Sequence, residues 1–309
     1  MKDNKILATA VAAIFGVSVA TADISLTDNL TLSGFVDGSY SNTDNGTTRT
    51  ESLGIDQFEA DLAFSGEAAS AEVHLQSDGG NITLEQAFAS YDLGNGVTLS
   101  GGKFLNLLGF EADEPTGMYQ YSYAYTLGGN GGQVDAGSVY NNGVRASFGV
   151  EDVAIAVSAY DTLWGTAGAD LDLAYDAQVI FSGVENLTVA VGYGEDDNST
   201  GTAIAEAFNV WASYESGQVT VAAEYFDATD GAGADGDGYL LLANYTINDN
   251  AAITVRYSEQ DKTGEQVEKF TISPSYSFTD NLGALIEYST GEYNGTDVDV
   301  FAVETTFTF

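Results

Sequence analysis

Cysteine is absent from the 309-residue chain, so neither disulfides nor thiol chemistry contributes to its fold or function. Basic residues are scarce: 8 Lys and Arg stand against 46 Asp and Glu, which gives a formal charge of −38. Because nucleic-acid binding depends on Lys and Arg side chains that contact phosphates, this balance argues against nucleic acid as a partner. The acidity is compatible both with a saline habitat and with a channel for cations.

Long apolar runs are also missing, and no stretch approaches the 18 apolar residues of a membrane-spanning helix. The N-terminus carries Lys2 and Lys5, an apolar or small-residue core over 6–19, and Ala-Thr-Ala at 20–22. This is the pattern of a secretory signal peptide with its small-x-small cleavage site. We predict a signal peptide over 1–22, cleaved after secretion across the inner membrane, and one domain over 23–309.

The chain does contain regular alternation of apolar and polar residues, most clearly at its end. In 298–309 (VDVFAVETTFTF), Phe301, Val303, Phe307 and Phe309 share one face. A transmembrane β-strand needs about 9–11 residues with an apolar lipid face. The stretch resembles the C-terminal strand of bacterial outer-membrane barrels. That resemblance implies that Phe309 and Phe307 are an assembly signal, read by the barrel-assembly machinery.

The same period of two recurs along the whole chain after residue 22. Short turns and mostly longer loops rich in Gly, Asp, Asn and Thr alternate between the strand segments, as in up-and-down outer-membrane barrels. A soluble Greek-key sandwich has no reason to alternate in this way. We therefore predict an all-β fold, a 16-stranded antiparallel transmembrane β-barrel in the cell outer membrane. The predicted strands are 29–40, 55–65, 70–78, 83–93, 97–105, 142–150, 153–160, 169–181, 187–193, 206–215, 218–227, 238–246, 251–258, 267–278, 282–288 and 298–309. The predicted longer loops are 41–54, 161–168, 194–205, 228–237, 259–266 and 289–297.

The pattern leaves two local questions open. In 83–93, the pair Leu84 and Phe88 competes with Ala87, Ala89 and Tyr91 for the outward face. Lys103 has outward parity, so either it lies at the rim or a bulge at Gly101-Gly102 turns it inward. A lipid-facing Lys at mid-depth would cost about 2–4 kcal/mol.

One connection, 106–141, is much longer than the others. The stretches Gly102-Lys103-Phe104 and Gly109-Phe110-Glu111 resemble the porin-2-like family, and the architecture resembles the bacterial porins. The resemblance implies that this third outer loop folds into the barrel and narrows it. It also implies a homotrimer surrounded by outer-membrane lipid and lipopolysaccharide, which passes small hydrophilic solutes by diffusion.

Within that loop, tyrosines alternate with smaller residues, and two interpretations remain open. They form either an aromatic strip that lines the constriction or an additional strand that would change the strand count. The tyrosines are Tyr119, Tyr121, Tyr123 and Tyr125.

Strand parity also sorts the charged side chains that face inward. Acids outnumber bases, which predicts a negative lumen that concentrates cations. Loop acids opposite Arg145 would create a transverse field like that of the general porins, whereas the simpler interpretation is that each lumen charge is merely solvated. The inward acids are Asp37, Glu59, Asp61, Glu72, Asp172, Asp176, Glu224, Glu287 and Glu304, the inward bases are Arg145, Arg256 and Lys269, and the loop acids are Glu111, Asp113 and Glu114.

His74, the single histidine, faces inward beside Glu72. Barrel enzymes combine a histidine with Ser and Asn or with Asp near the outer rim, and no Ser/Asn pattern surrounds His74. We predict no catalytic residue, and we keep two alternatives to a channel: a His74-dependent hydrolase and a non-conducting structural or adhesin barrel.

The sequence also lacks zinc-ligand spacings and phosphate-binding Gly motifs that precede a helix. We therefore predict no cofactor and no metal site inside the barrel. The stretch 230–238 (DGAGADGDG) lacks EF-hand spacing. It is either a weak surface site for Ca²⁺ or Mg²⁺ or a solvated loop.

Overall fold

A computed structural model describes residues 23–125, 140–165, 172–262 and 264–309, and the predicted signal peptide lies outside these residues. Apart from a short 3₁₀ turn at Pro115–Gly117, the regular elements of the described ranges are strands. None of the helices in those ranges has the length and apolar character needed to cross a membrane. The strands are β1 (Ile24–Thr27), β2 (Leu30–Asp44), β3 (Arg49–Ser65), β4 (Ala69–Ser77), β5 (Thr83–Gly94), β6 (Val97–Leu105), β7 (Tyr140–Val150), β8 (Val153–Tyr160), β9 (Ala174–Val184), β10 (Leu187–Glu195), β11 (Ile204–Ser216), β12 (Val219–Asp230), β13 (Asp235–Asn248), β14 (Ala251–Lys262), β15 (Glu265–Ser277), β16 (Leu282–Tyr293) and β17 (Thr296–Thr308).

Strands β2 to β17 form one closed antiparallel barrel of sixteen strands. Each strand pairs with its neighbours in sequence, and β17 pairs with β2 through contacts such as Phe307↔Val36 and Phe301↔Asn42. Closure gives every strand two partners, so backbone polar groups are satisfied inside the wall, as a lipid environment requires. The predicted fold is confirmed.

Strand β1 was not predicted. It pairs with the lower part of β2 at Ile24↔Leu32, whereas β17 pairs with β2 from Phe35 upward. Beyond the last β17 pair, the backbone N–H and C=O of Phe309 exchange hydrogen bonds with Gly34, both 2.9 Å long. Segments β1 and β17 therefore lie end to end along the same edge of β2. Together they occupy one strand position of the barrel.

The predicted alternation of faces is visible in each half of the molecule. In β12, Val221 and Tyr225 are exposed on the outer surface, whereas Glu224 and Phe226 between and beside them are buried inside. An exposed band of large apolar and aromatic side chains is what a lipid-facing barrel surface presents. The lipid face and the lumen face therefore follow from a period of two.

Several predicted long loops are in fact strand, and those predictions are wrong. The predicted loop 289–297 contains only a two-residue turn, Asn294-Gly295, between β16 and β17. Both residues have positive φ, 50° and 75°, which is the type I′ turn of tight hairpins. Polar residues above the lipid can still pair through their backbones, so the ladder continues where the apolar pattern ends. The loops predicted at 41–54 and 228–237 shorten in the same way to 45–48 and 231–234, and most of the loop predicted at 259–266 belongs to β14 and β15.

A β-bulge explains why the facing of the fourth predicted strand was ambiguous. His74 pairs with Gln86 and Leu75 pairs with Leu84, which leaves Glu85 without a partner on β4. Leu84 is therefore exposed on the outside, Glu85 and Gln86 are both buried inside, and Ala87 begins a new outward set. Each competing pattern is correct on its own side of the bulge.

A second bulge lies in β3, but no bulge is needed to explain the position of Lys103 on β6. Asp37 pairs with Gln57 and Gly38 pairs with Ile55, so Asp56 is the extra residue. Around Lys103 the pairing of β6 with β5 and β7 is unbroken, so the bulge proposed for Gly101-Gly102 is wrong. Lys103 keeps its outward parity near the outer end of β6, where its Nζ donates to the Leu84 carbonyl at 2.9 Å.

Gly34 lies at the closure point, and its missing side chain generates a prediction. A Cβ at Gly34 would lie 2.2 Å from the Glu59 carbonyl oxygen and 2.9 Å from the Phe309 ring. Gly54, on the adjacent strand β3, has no atom within 4 Å of such a Cβ. We expect Gly34→Ala to lower the free energy of unfolding by about 1–3 kcal/mol, because the closing strand must shift.

The measurement is urea unfolding of the barrel refolded in detergent or lipid, with Gly54→Ala as the matched control. The control should remain within about 0.5 kcal/mol of the parent protein. Equal losses in the two variants would show that the closure point tolerates the added methyl group.

Candidate functional site

The long loop between β6 and β7 enters the barrel and follows its inner wall. The backbone N–H of Leu107 donates to Asp176 on β9 at 2.8 Å, and that of Phe110 donates to Glu224 on β12 at 2.8 Å. Asn209 on β11 donates to the same Glu224 oxygen at 2.9 Å. Loop backbone groups have no strand partner, so inward-facing carboxylates accept their hydrogen bonds. Residues 126–139 of this loop lie outside the described residues.

Apolar side chains hold the same part of the loop against the wall. Leu108 is fully buried in a cluster with Tyr125 from the returning arm and with Phe226, Leu240 and Leu242 from β12 and β13. Apolar residues at inward positions have no place in an open water-filled wall. They therefore mark the strands that the loop covers, and this signal was present in the sequence but was not used.

Glu111 binds the middle of the loop to a basic residue of the wall. Its carboxylate forms an ion pair with Arg256 on β14, in which both side chains are buried. The same carboxylate accepts hydrogen bonds from Gln120 Nε2 at 2.7 Å and from the Ala124 N–H at 2.8 Å. Glu111 therefore joins the two arms of the loop to the wall.

Lys269 on β15 holds the returning arm one strand further on. Its Nζ donates to Ser122 Oγ at 2.5 Å and to the Tyr123 carbonyl at 2.8 Å. Ser122 in turn donates from its N–H (3.0 Å) and its hydroxyl (2.5 Å) to Glu287 on β16. The fully buried Lys269 ammonium is therefore surrounded by groups of the loop and of the wall.

Arg145 lies beneath the beginning of the loop. Its guanidinium donates to the Leu105 carbonyl at 2.5 Å and to the Tyr160 hydroxyl at 2.9 Å, and it lies 4.4 Å from the Phe104 ring centroid. The Tyr160 hydroxyl in turn donates a hydrogen bond to Asp176 at 3.0 Å. Arg145 is therefore buried on the wall of β7 beneath the loop, and its predicted place opposite the loop acids stays a prediction.

The tyrosines of the loop do not form an additional strand. Between residues 106 and 125 the only regular element is the 3₁₀ turn, so that interpretation is wrong for this segment. Tyr125 donates to Glu224 at 3.2 Å and Tyr123 to the Asp113 carbonyl at 2.5 Å, whereas Tyr119 packs against the buried Leu108 cluster.

The loop also reaches the opposite wall. Ser39 Oγ on β2 donates to the Tyr121 hydroxyl at 3.3 Å, and Gln57 Nε2 on β3 donates to Glu114 at 3.1 Å. The described part of the loop is thus anchored on β9 to β16 and touches β2 and β3. It therefore crosses the lumen and narrows it.

An acidic cluster around His74 faces the tip of the loop. His74 Nδ1 lies 3.0 Å from Glu59 and 3.3 Å from Asp61, and Nε2 lies 3.3 Å from Glu72. Glu85, turned inward by the bulge in β5, is buried beside them. Predicted lumen residues from β3 and β4 therefore do meet, and they meet around a single base.

Glu114 lies against this cluster. Its burial, together with the negative charges of Glu59, Glu85 and Asp113, raises the pKa of the Glu114 carboxyl well above its usual range. A carboxyl with a raised pKa keeps its proton to a higher pH than an ordinary glutamate. Glu114 therefore ionises less readily than an isolated carboxyl would.

A second acidic group lies on β2, β3 and β17. Asp37 and Glu304 are buried side by side, with the bulge residue Asp56 near both. Thr306 donates to Asp37 at 3.1 Å. Asp172, in contrast, is exposed and precedes β9, so the prediction that it lies on that strand is wrong. Residues 169–171, the start of the strand predicted there, lie outside the described residues.

The stretch 230–238 is mostly a hairpin, since β12 ends at Asp230 and β13 begins at Asp235. Asp230 Oδ1 accepts the N–H groups of Ala232 and Ala234, both at 2.9 Å. That oxygen stabilises the turn, and weak Ca²⁺ or Mg²⁺ binding at this surface stays a prediction.

Comparisons with known proteins agree with this geometry. The family model described as Gram-negative porin matches residues 8–296. The fold is similar to OmpF of Salmonella typhi in complex with daunomycin (TM-score 0.71, 15% identity, 93% of this chain and 100% of that chain). It is also similar to the outer-membrane channel DcaP of Acinetobacter baumannii (0.71, 14%, 94% and 100%) and to the trimer form of OmpT of Vibrio cholerae (0.65, 14%, 91% and 100%). At these identities the likeness to solved structures shows the fold alone. No curated protein sequence matches.

The pair formed by Glu111 and Arg256 generates a prediction about what holds the loop in place. Removal of one partner leaves a buried charge without its counter-ion, which destabilises more than loss of the pair as a whole. In a double-mutant cycle with Glu111→Gln and Arg256→Gln, we expect a coupling energy of about 1–3 kcal/mol.

The matched control is the exposed pair Arg49 and Glu51, whose charged groups lie 3.1 Å apart. Its coupling should stay below about 1 kcal/mol because water screens it. Both cycles can be measured by urea unfolding of the refolded barrel. Equal coupling in the two pairs would contradict an anchoring role for Glu111.

Proposed function

The chain belongs to the Gram-negative porin family, a family of outer-membrane channels rather than enzymes, and we propose that its pore passes small hydrophilic solutes with a preference for cations. The channel fold and the outer-membrane location follow from the family. Membership of this family argues against a His74-dependent hydrolase and against a non-conducting barrel. The cation preference is our inference from the placement of charges.

One observation carries the proposal, namely the separation of bases from acids. Arg145, Arg256 and Lys269 are all buried beneath the loop, in contact with loop or wall groups. On β2 to β5 and β17, the acids of the two clusters have His74 as their only ion-pair partner in the described part of the chain. A solute that passes the loop therefore meets an acidic wall with little basic surface opposite it, which concentrates cations and repels anions.

The loop residues divide into two roles in this proposal. Glu111 holds the loop against Arg256 and contributes little field of its own, since its charge is balanced at close range. Asp113, Glu114 and Tyr121 lie where the loop approaches β2 and β3 and define the narrow point. Glu59, Asp61 and Glu72 lie on the facing wall and form its acidic cluster around His74.

The proposal also covers assembly. Trimer form is stated for OmpT of Vibrio cholerae, whose fold this chain shares, and we propose that this barrel is likewise a homotrimer in lipid and lipopolysaccharide. The signal peptide over 1–22 and the reading of Phe307 and Phe309 by the assembly machinery remain predictions from sequence.

Planar-bilayer recording under a salt gradient tests the selectivity directly. We expect a reversal potential that favours K⁺ over Cl⁻. The preference should shrink at molar salt, because the screening length falls from about 10 Å at 0.1 M to about 3 Å at 1 M. Replacement of Asp37, Asp56 and Glu304 by their amides removes up to three lumen charges and should reduce the preference.

The matched control replaces Asp235, Asp237 and Asp297, which are exposed at the outer ends of β13 and β17, by Asn. These substitutions remove three charges outside the lumen and should change the preference much less. Anion preference in the parent protein, or equal effects of the two triple variants, would contradict the proposal.

Glu114 adds a pH dependence whose sign follows from its raised pKa. The raised pKa means that Glu114 ionises at a higher pH than an ordinary glutamate. As the pH rises through that pKa, the parent protein gains a negative charge that Glu114→Gln cannot gain. The difference in reversal potential between the parent protein and the variant should therefore grow as the pH is raised. A difference that does not change with pH would contradict the raised pKa.

A further inference from the structure

We propose that Glu59, His74 and Glu85 form a binding site for a divalent transition-metal ion, of which Zn²⁺ is the test case, on the inner wall of the barrel. The three residues come from β3, β4 and β5, and one ligand atom from each lies within 4.8 Å of the others. The site is independent of the proposed selectivity, since it concerns an ion held on the wall rather than ions that pass.

The β-bulge is the first observation that supports the site. In the register of Ala87 and Ala89, which face outward, an unbulged strand would send Glu85 into the lipid. The extra residue reverses the facing at this point and brings the carboxylate to Glu59 and His74. Bulges characteristically redirect one side chain at functional positions.

The second observation is an orphaned carboxylate oxygen. Glu85 is only 3% exposed, and its buried Oε2 has no hydrogen-bond partner among the described residues. Oδ1 of Asp61, in the same cluster, lies 3.3 Å from His74 Nδ1. A buried carboxylate oxygen without a partner is costly, and a bound cation would satisfy Glu85 Oε2.

The geometry of the imidazole is compatible with a metal ligand. Nδ1 lies 3.0 Å from Glu59 Oε1, and two ligands bound at about 2.0–2.2 Å to a tetrahedral ion lie roughly 3.3–3.5 Å apart. The other ring nitrogen, Nε2, lies 3.3 Å from Glu72 Oε2. An Nε2–H that donates to Glu72 leaves the Nδ1 lone pair directed at Glu59, which is the carboxylate–histidine–metal arrangement.

The donor set determines the class of ion. One imidazole and two carboxylates suit Zn²⁺ and related transition metals, whereas Ca²⁺ takes six to eight oxygen ligands. A neighbouring set, Glu85 with Asp113 and Glu114, offers oxygen only. Competition between Zn²⁺ and Ca²⁺ therefore reveals whether the histidine participates. The sequence prediction of no metal site relied on ligand spacing along the chain, and these ligands are adjacent only across the sheet.

The test is calorimetric titration of Zn²⁺ into the detergent-folded barrel after treatment with a chelator. We expect one Zn²⁺ per chain that a tenfold excess of Ca²⁺ does not displace. The variants His74→Gln and Glu85→Gln should each weaken Zn²⁺ binding at least tenfold, and Glu72→Gln should weaken it by about tenfold through the imidazole. The matched control is Asp56→Asn, which neutralises the other bulge acid and should bind Zn²⁺ as the parent protein does.

Heat-modifiable migration on a gel establishes the folded fraction of each variant, and titrations are normalised to it. Co²⁺ gives a second readout, because its visible absorption in the parent protein should change in His74→Gln if the imidazole is a ligand. Absence of Zn²⁺ binding in the parent, unchanged binding in both His74→Gln and Glu85→Gln, or displacement by an equal concentration of Ca²⁺ would overturn the proposal. These measurements need no conductance, so they stand apart from the test of selectivity.

Discussion

Backbone hydrogen bonding in a medium without water is the constraint on which the rest of this structure depends. A strand in lipid cannot leave its N–H and C=O groups unpaired, so sixteen strands close into a ring through the ladder between β17 and β2. Closure fixes which side chains face inward, and those inward carboxylates then serve as acceptors for the loop. The ion pair of Glu111 with Arg256 and the contacts of Lys269 are possible only because the ring holds β14 and β15 opposite the entry of the loop.

The barrel could be read from the sequence because it rests on local periodicity. Val221 and Tyr225 reveal their strand and its facing without any knowledge of their neighbours in space. The ends of the strands could not be read in this way, since backbone pairing at Asn294-Gly295 needs no apolar side chain. The bulges at Asp56 and Glu85 could not be predicted for a related reason, since a bulge is defined by pairing with the partner strand. Along the chain, only the two competing facing patterns in 83–93 indicate that a bulge is present.

The path of the loop was predicted in outline but not in its contacts. Tyr121 meets Ser39 and Ser122 meets Glu287 across large separations in sequence, and no local pattern encodes such pairs. The arrangement of the inward charges could not be predicted, because parity places a side chain on a face but does not say whether a loop covers it. Arg145 shows the difference, since it faces inward as predicted and is nevertheless buried under the loop.

The one-sided placement of charge has a consequence for molecules that carry both signs. Arg145, Arg256 and Lys269 are buried beneath the loop, whereas the acids of β2 to β5 face inward on other strands. Under the proposed selectivity, a zwitterion in transit has its lowest energy with its ammonium end turned toward those acids and its carboxylate end turned away. The passage would then act on the dipole of such a molecule as well as on its net charge. Two isomers of equal size and zero net charge would then cross at different rates if their charges are separated by different distances.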